Sequence, residues 1–118
     1  MDVPDIRVQG SNAVEIVLSG KTEVCQLPGE SAQHADTIAT NLKDAVIAAV
    51  LNKSKFKLKL FDIKNGKGEI TETALQAEYD RAGMVPIRIW VLNNRGEVGA
   101  LASVLRKAVS TSLPELAA

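Results

Sequence analysis

Apolar and polar residues alternate along the first part of the chain, and a period of two predicts β-strands with one buried face. Three short strands are predicted, over Ile6–Gln9, Ala13–Leu18 and Thr22–Leu27. The segment Ser19-Gly20-Lys21, between the second and third strands, is typical of a hairpin turn. We therefore expect an antiparallel hairpin at the N-terminal end of the fold.

Farther along the chain, apolar residues recur at helical spacing in three segments. They predict the helices Ser31–Leu51, Glu72–Ala82 and Glu97–Val109. Ser31 and Thr71 are suited to cap the first two helices, because a hydroxyl oxygen can accept a hydrogen bond from a free backbone N–H. Gly83 is suited to end the second helix in a left-handed conformation.

Two more strands, Lys55–Ile63 and Val85–Leu92, separate these helices. Strand–helix–strand units imply parallel neighbours joined by right-handed crossovers. The sequence predicts one α/β domain over residues 1–118, with a mixed sheet; an α+β fold is the alternative. Its order is an N-terminal antiparallel hairpin, then strand, helix, strand, helix, strand, helix. The periodic faces predict a core of Ile38, Leu42, Val46, Leu58, Leu60, Ile87, Ile89 and Leu101.

Composition narrows the classes of function. Fourteen basic residues balance fourteen acidic ones, which argues against a dedicated nucleic-acid binder because such proteins carry excess Lys and Arg. The single cysteine, Cys25, cannot form an internal disulfide, and the first residues lack the pattern of a signal peptide. The apolar stretch Ala45–Leu51 is too short to cross a bilayer. We expect a cytoplasmic protein without a membrane or nucleic-acid partner.

Several motifs resemble ligand sites only in part. Gly20-Lys21-Thr22 lacks the earlier glycine of a phosphate-binding loop, because that position is Glu15. The loop Lys64–Glu72 has the turn glycine of a calcium loop, but lysine and apolar residues stand where carboxylates are needed. His34 and Cys25 have no identifiable third group to orient them as a catalytic pair. We expect no catalytic residue, metal or cofactor from these motifs.

The segment Asn93-Asn94-Arg95-Gly96-Glu97-Val98-Gly99-Ala100-Leu101 resembles the strand-to-helix turn of ACT regulatory domains. In that family small molecules bind near a helix start. The similarity is confined to this turn, and the residues after the helix do not predict the strand that follows it in the family. The resemblance implies a small-ligand or anion-binding regulatory domain, with candidate residues Asn94, Arg95, Gly96 and Gly99. A plain turn is the alternative.

A row of lysines is the remaining candidate site. Lys55, Lys57 and Lys59 share one strand face, and Arg88 and Trp90 would join it if the two strands were parallel neighbours. A basic face with an exposed aromatic can stack on a base or dock an acidic partner. The alternatives are lysines that protect a sheet edge and a Trp90 in the core.

The pattern favours a non-catalytic interaction or assembly module, which pairs with itself as a homodimer or with another protein through an open sheet face. The ligand-binding regulatory domain is the first alternative. A small enzyme is the second, with candidate carboxylates Asp62, Glu69, Glu72, Glu78 and Asp80.

Overall fold

The computed structural model describes residues 3–78 and 85–117, in which three antiparallel strands followed by a helix occur twice in succession. The first unit comprises β1 (Asp5–Gln9), β2 (Ala13–Leu18), β3 (Lys21–Gln26) and α1 (Ala35–Leu51). The second comprises β4 (Lys57–Lys64), β5 (Ile70–Glu78), β6 (Ile87–Leu92) and α2 (Arg95–Ser112). Short 3₁₀ helices precede α1 and follow α2, at Gly29–His34 and Pro114–Leu116.

The first sheet, in the order β1-β2-β3, contains the predicted N-terminal hairpin. Leu18 pairs with Lys21, so Ser19 and Gly20 alone form the turn. Both have a positive φ, 52° and 79° respectively, as in the two-residue turns that match strand twist. The segment that partly resembles a phosphate-binding loop is therefore a hairpin turn.

The second sheet, in the order β4-β5-β6, contradicts the predicted second helix. Within the described part of Glu72–Ala82, residues 72–78 belong to β5, and the remainder of that segment and Gly83 lie outside the described residues. Ala, Leu, Glu and Gln favour helices, but β5 is the central strand and gains pairing on both sides. Thr73, Leu75 and Ala77 share the core side of β5 with a period of two, and the small Ala74 between them is also buried. Thr71 caps no helix; its hydroxyl donates to the carbonyl of Ile63 across the hairpin.

The predicted mixed sheet with parallel neighbours is also wrong. Every pair of neighbouring strands in the two described sheets is antiparallel. β4 and β6 are not neighbours, because β5 lies between them. The loop between β4 and β5 is a hairpin turn, not a strand-to-helix connection. The side-chain oxygen of Asn65 accepts from the N–H groups of Lys67 and Glu69, at 2.8 and 3.1 Å. Gly68 supplies the positive φ of 80° in this turn.

Both helices contact both sheets. α1 packs against β1 and β6, and α2 packs against β3, β4 and β5. One hydrophobic core joins these elements, and five of the eight predicted core residues are fully buried: Ile38, Leu42, Val46, Ile89 and Leu101. The other three, Leu58, Leu60 and Ile87, are half-buried and pack against that core. Neither α1 nor α2, the helices of the described ranges, is long and apolar enough to cross a membrane.

The start of α1 differs from its prediction. Ser31 lies in the 3₁₀ helix and does not cap α1; its buried hydroxyl donates to the carbonyl of Pro28. The end of α1 is a Schellman motif. Lys53 has a φ of 54°, its N–H donates to the carbonyl of Val50, and the N–H of Ser54 donates to that of Ala49.

Candidate interaction surface

The second sheet has one face that packs on the core and one that faces solvent. Leu75 and Ala77 of β5 are fully buried on the core side. Alternation along the strands places their neighbours on the opposite side. We call this opposite side the outer face; its residues are Lys57, Lys59, Phe61 and Ile63 of β4, Glu72, Ala74, Gln76 and Glu78 of β5, and Arg88 and Val91 of β6.

Trp90 does not belong to the outer face, contrary to the prediction. It pairs with the buried Leu75 and is 7% exposed. The reason is a β-bulge: Gln76 pairs with Arg88 and Leu75 with Trp90, so Ile89 is an extra residue in β6. The bulge turns both Ile89 and Trp90 to the core while Arg88 remains outside. The Trp90 ring lies 6.0 Å from the ring of His34.

The lysine row is only partly preserved. Lys57 and Lys59 lie on the outer face with Arg88, although β5 separates them from it. Lys55 precedes β4, and its amino group donates to the carbonyl of Glu115 at 2.9 Å. Lys59 is 3.7 Å from the carboxylate of Glu78, and its side chain is 63% exposed. An ion pair this exposed contributes little to stability, so Lys59 remains able to contact a partner.

An apolar band crosses the middle of the outer face. Phe61 pairs with Ala74, and Ala74 pairs with Val91. Phe61 is 45% exposed, and the Arg88 guanidinium lies 6.0 Å from the centroid of its ring, within the range of a cation–π interaction. Ala74 is 0% exposed, because the larger side chains on both sides cover its methyl group.

Charge is distributed unevenly on the two sides of this band. On one side, Lys59, Gln76 and Arg88 form a row, with Lys57 and Glu78 beyond it. On the other side, Glu72 pairs with Ile63. One end of the outer face is therefore mainly basic, the centre is apolar, and the other end carries a carboxylate.

Sequence reasoning placed Glu72, Ala74 and Gln76 on a helix and so missed them as sheet-surface residues. The signal that was present is the alternation of Thr73, Leu75 and Ala77 with these three polar or small residues. It was weak because Ala and Gln are common in helices.

The residues of the predicted ligand turn form a hydrogen bond, an ion pair and a packing contact within the chain. Asn94 is the N-cap of α2, and its side-chain oxygen accepts from the N–H of Glu97 at 3.1 Å. Arg95 forms an ion pair with Asp62 at 3.2 Å. Gly96 lies within α2, and a Cβ at Gly99 would contact Leu60, so Gly99 packs close to the sheet. Binding of a small molecule or anion at this turn stays a prediction.

Two of the remaining candidates, Cys25 and Asp62, have clear interactions in the described residues. Burial of Cys25, aided by the negative charge of Glu23, raises the pKa of its thiol to about 11. Asp62 accepts from the hydroxyl of Thr73 at 3.0 Å in addition to pairing with Arg95. Residues 3–78 and 85–117 contain no group of three or more His, Cys, Asp or Glu placed to hold a metal ion. Asp80 lies outside the described residues.

Comparison with protein-family models, curated proteins and solved structures found no match to this chain. The proposed function therefore depends on the surface itself.

Proposed function

We propose that this chain is a non-catalytic assembly module that pairs with a second copy of itself through the outer face of β4, β5 and β6. The observation that carries the proposal is the apolar band at the centre of that face. Phe61 is 45% exposed in the middle of β4, on the side of the sheet opposite the buried Leu75 and Ala77. Removing an aromatic ring and neighbouring apolar groups from water favours association.

The contrast with the first sheet supports the choice of face. There, the outward-facing Arg7 and Glu15 pair with each other, and Gln9 also donates to Glu15. Polar groups that already satisfy one another lose contacts with water on docking and gain little in return. The second sheet instead presents apolar area surrounded by charged side chains, which is the usual layout of an interface.

The size of the outer face limits the strength of pairing. Stable interfaces typically contain about 20–30 residues on each side, and the outer face has only ten residues in three strands. We therefore expect a dimer that dissociates in the micromolar range, not an obligate one.

Sedimentation equilibrium between about 1 and 500 µM tests this proposal, because a micromolar dissociation constant lies within that range. We expect the average mass to rise from monomer to dimer. Phe61→Asp should abolish the rise by placing a charge in the apolar band. Val24→Asp is the matched control, since Val24 is 40% exposed on β3 of the other sheet, and it should dimerise as the original chain does.

Far-UV circular dichroism of both variants checks that they fold. An original chain that stays monomeric throughout the concentration range would overturn the proposal. So would a folded Phe61→Asp variant that dimerises normally, because pairing would then use another surface. Loss of pairing in both variants would show that the effect is not specific to the outer face and would also contradict the proposal.

A further inference from the structure

The charges of the outer face are complementary to themselves in one orientation, and this specifies how two copies meet. We infer that the dimer has a two-fold axis along the apolar band, so that the strands of the two copies run antiparallel across the interface. In this arrangement Glu72 of one copy lies between Lys59 and Arg88 of the other. The inference rests on the proposed self-association.

The register of the strands gives the geometry. Three residues, Phe61, Ala74 and Val91, lie side by side across β4, β5 and β6 and define the direction of the axis. Rows on one face of a sheet are about 6.8 Å apart along the strand, two residues at about 3.4 Å each. Lys59, Gln76 and Arg88 occupy the row on one side, and Ile63 and Glu72 the row on the other.

Rotation by two-fold symmetry about this axis exchanges the two rows and keeps each strand above its equivalent. The partner's Glu72 then lies above Gln76 on the central strand. Lys59 and Arg88 are on the adjacent strands, each about 4.8 Å to the side. Packed sheets are about 10 Å apart, a separation that long charged side chains can span. The same contact occurs twice, because a two-fold interface uses one patch on both copies.

The other face-to-face two-fold arrangement is electrostatically unfavourable. An axis parallel to the strands, along β5, would place Lys59 above the partner's Arg88 and Glu72 above the partner's Glu72. Like charges in direct opposition across an interface are repulsive and suppress that pairing. The uneven charge of the outer face therefore selects the antiparallel orientation.

The centre of the face is compatible with close approach in the antiparallel orientation. Ala74 lies on the axis, and its small side chain is already covered by its neighbours. Phe61 meets the partner's Phe61, and aromatic pairs favour offset or tilted contacts. Arg88 can keep its position over Phe61 while its guanidinium donors reach the partner's Glu72.

Charge reversal tests the orientation. We expect Glu72→Lys alone, and Lys59→Glu with Arg88→Glu in one chain, each to weaken self-association at least about ten-fold, because like charges then meet at both ends. Mixing the two variants should restore pairing to within a few-fold of the original chain, because both contacts regain opposite charges. Lys55→Glu is the matched control, since Lys55 is exposed, lies outside the outer face, and should leave pairing unchanged.

The outcomes separate the inference from the proposal on which it rests. If the original chain is monomeric at all concentrations, both fail. If the original chain dimerises but the mixture pairs no better than the separate variants, the antiparallel orientation is wrong and the proposed self-association stands. Normal dimerisation of each variant alone would also overturn the orientation. It would show that Glu72 of one copy does not lie near Lys59 and Arg88 of the other. Restored pairing in the mixture supports both.

Discussion

The carboxylate of Glu97 accepts a hydrogen bond from the backbone N–H of Glu30, a residue 67 positions earlier in the chain. Glu97 lies in the first turn of α2, and Glu30 lies in the 3₁₀ helix that leads into α1. The contact joins the starts of the two helices, where backbone N–H groups lack helical partners. It also places a charged side chain directly against Gly29.

This contact predicts that Gly29 tolerates substitution poorly. Gly29 has a φ of 55°, and a Cβ built there would overlap the Glu97 carboxylate. We expect Gly29→Ala to lower the free energy of unfolding by about 2–4 kcal/mol, from left-handed strain of about 1–2 kcal/mol and displacement of a charge-assisted hydrogen bond.

Gly10→Ala is the matched control for Gly29→Ala, because Gly10 has a similar φ of 63° and open space around it. It should cost only the strain of about 1–2 kcal/mol. Urea unfolding measures both variants. Equal losses at the two glycines would contradict a specific role for the Glu97 contact.

Lys53 offers an opportunity to stabilise the chain. It occupies the left-handed position of the Schellman motif with a φ of 54°, where glycine is the usual residue. We expect Lys53→Gly to raise the free energy of unfolding by about 0.5–1 kcal/mol, because relief of strain exceeds the entropy cost of glycine. Lys53→Ala keeps the Cβ and should be nearly neutral. Urea unfolding that shows Lys53→Gly to be no more stable than Lys53→Ala would disprove the explanation.

Two leucines of α1 provide a test of the core. Leu42 is 0% exposed and Leu51 is 70% exposed. Leu42→Ala should lower the free energy of unfolding by about 2–5 kcal/mol through lost burial and a cavity. Leu51→Ala should change it by less than about 0.5 kcal/mol. Thermal and urea unfolding measure both, and a loss below about half a kcal/mol at Leu42 would remove it from the core.

The thiol of Cys25 gives a pH-dependent prediction. Burial, aided by Glu23, raises its pKa to about 11 in the folded protein, above that of an unfolded thiol near 8.5. The folded state therefore holds the proton more tightly. The resulting stabilisation is complete below about pH 8.5 and is lost as the pH rises through about 11.

Two measurements check this prediction. Labelling by a thiol reagent at pH 8 should be much slower in the folded protein than in urea, because the thiolate is the reacting form. Stability measured between about pH 9 and 11 should fall more steeply for the original chain than for Cys25→Ala, which removes the titrating group. Identical slopes for the two proteins would show that Cys25 does not make this contribution.

The sequence by itself determined the elements for which the hydrophobic period and the local turn residues indicate the same structure. α1 has a long helical repeat, and the Ser19-Gly20 turn has the glycine that a two-residue hairpin favours. β4 has the alternation of a strand and β6 has the apolar content of one. The helix predicted over Glu97–Val109 forms as part of α2. The lysines at 57 and 59 share a face, as a period of two requires.

Only the tertiary structure decided the identity of β5 and the side on which Trp90 lies. Residues 72–78 have helical propensity, and pairing with β4 and β6 overrides it because a central strand satisfies its backbone on both sides. Trp90 would share a face with Arg88 in a regular strand, but the extra residue Ile89 reverses the alternation between them. Neither effect is encoded within a few neighbouring residues, because each depends on which strand lies beside which.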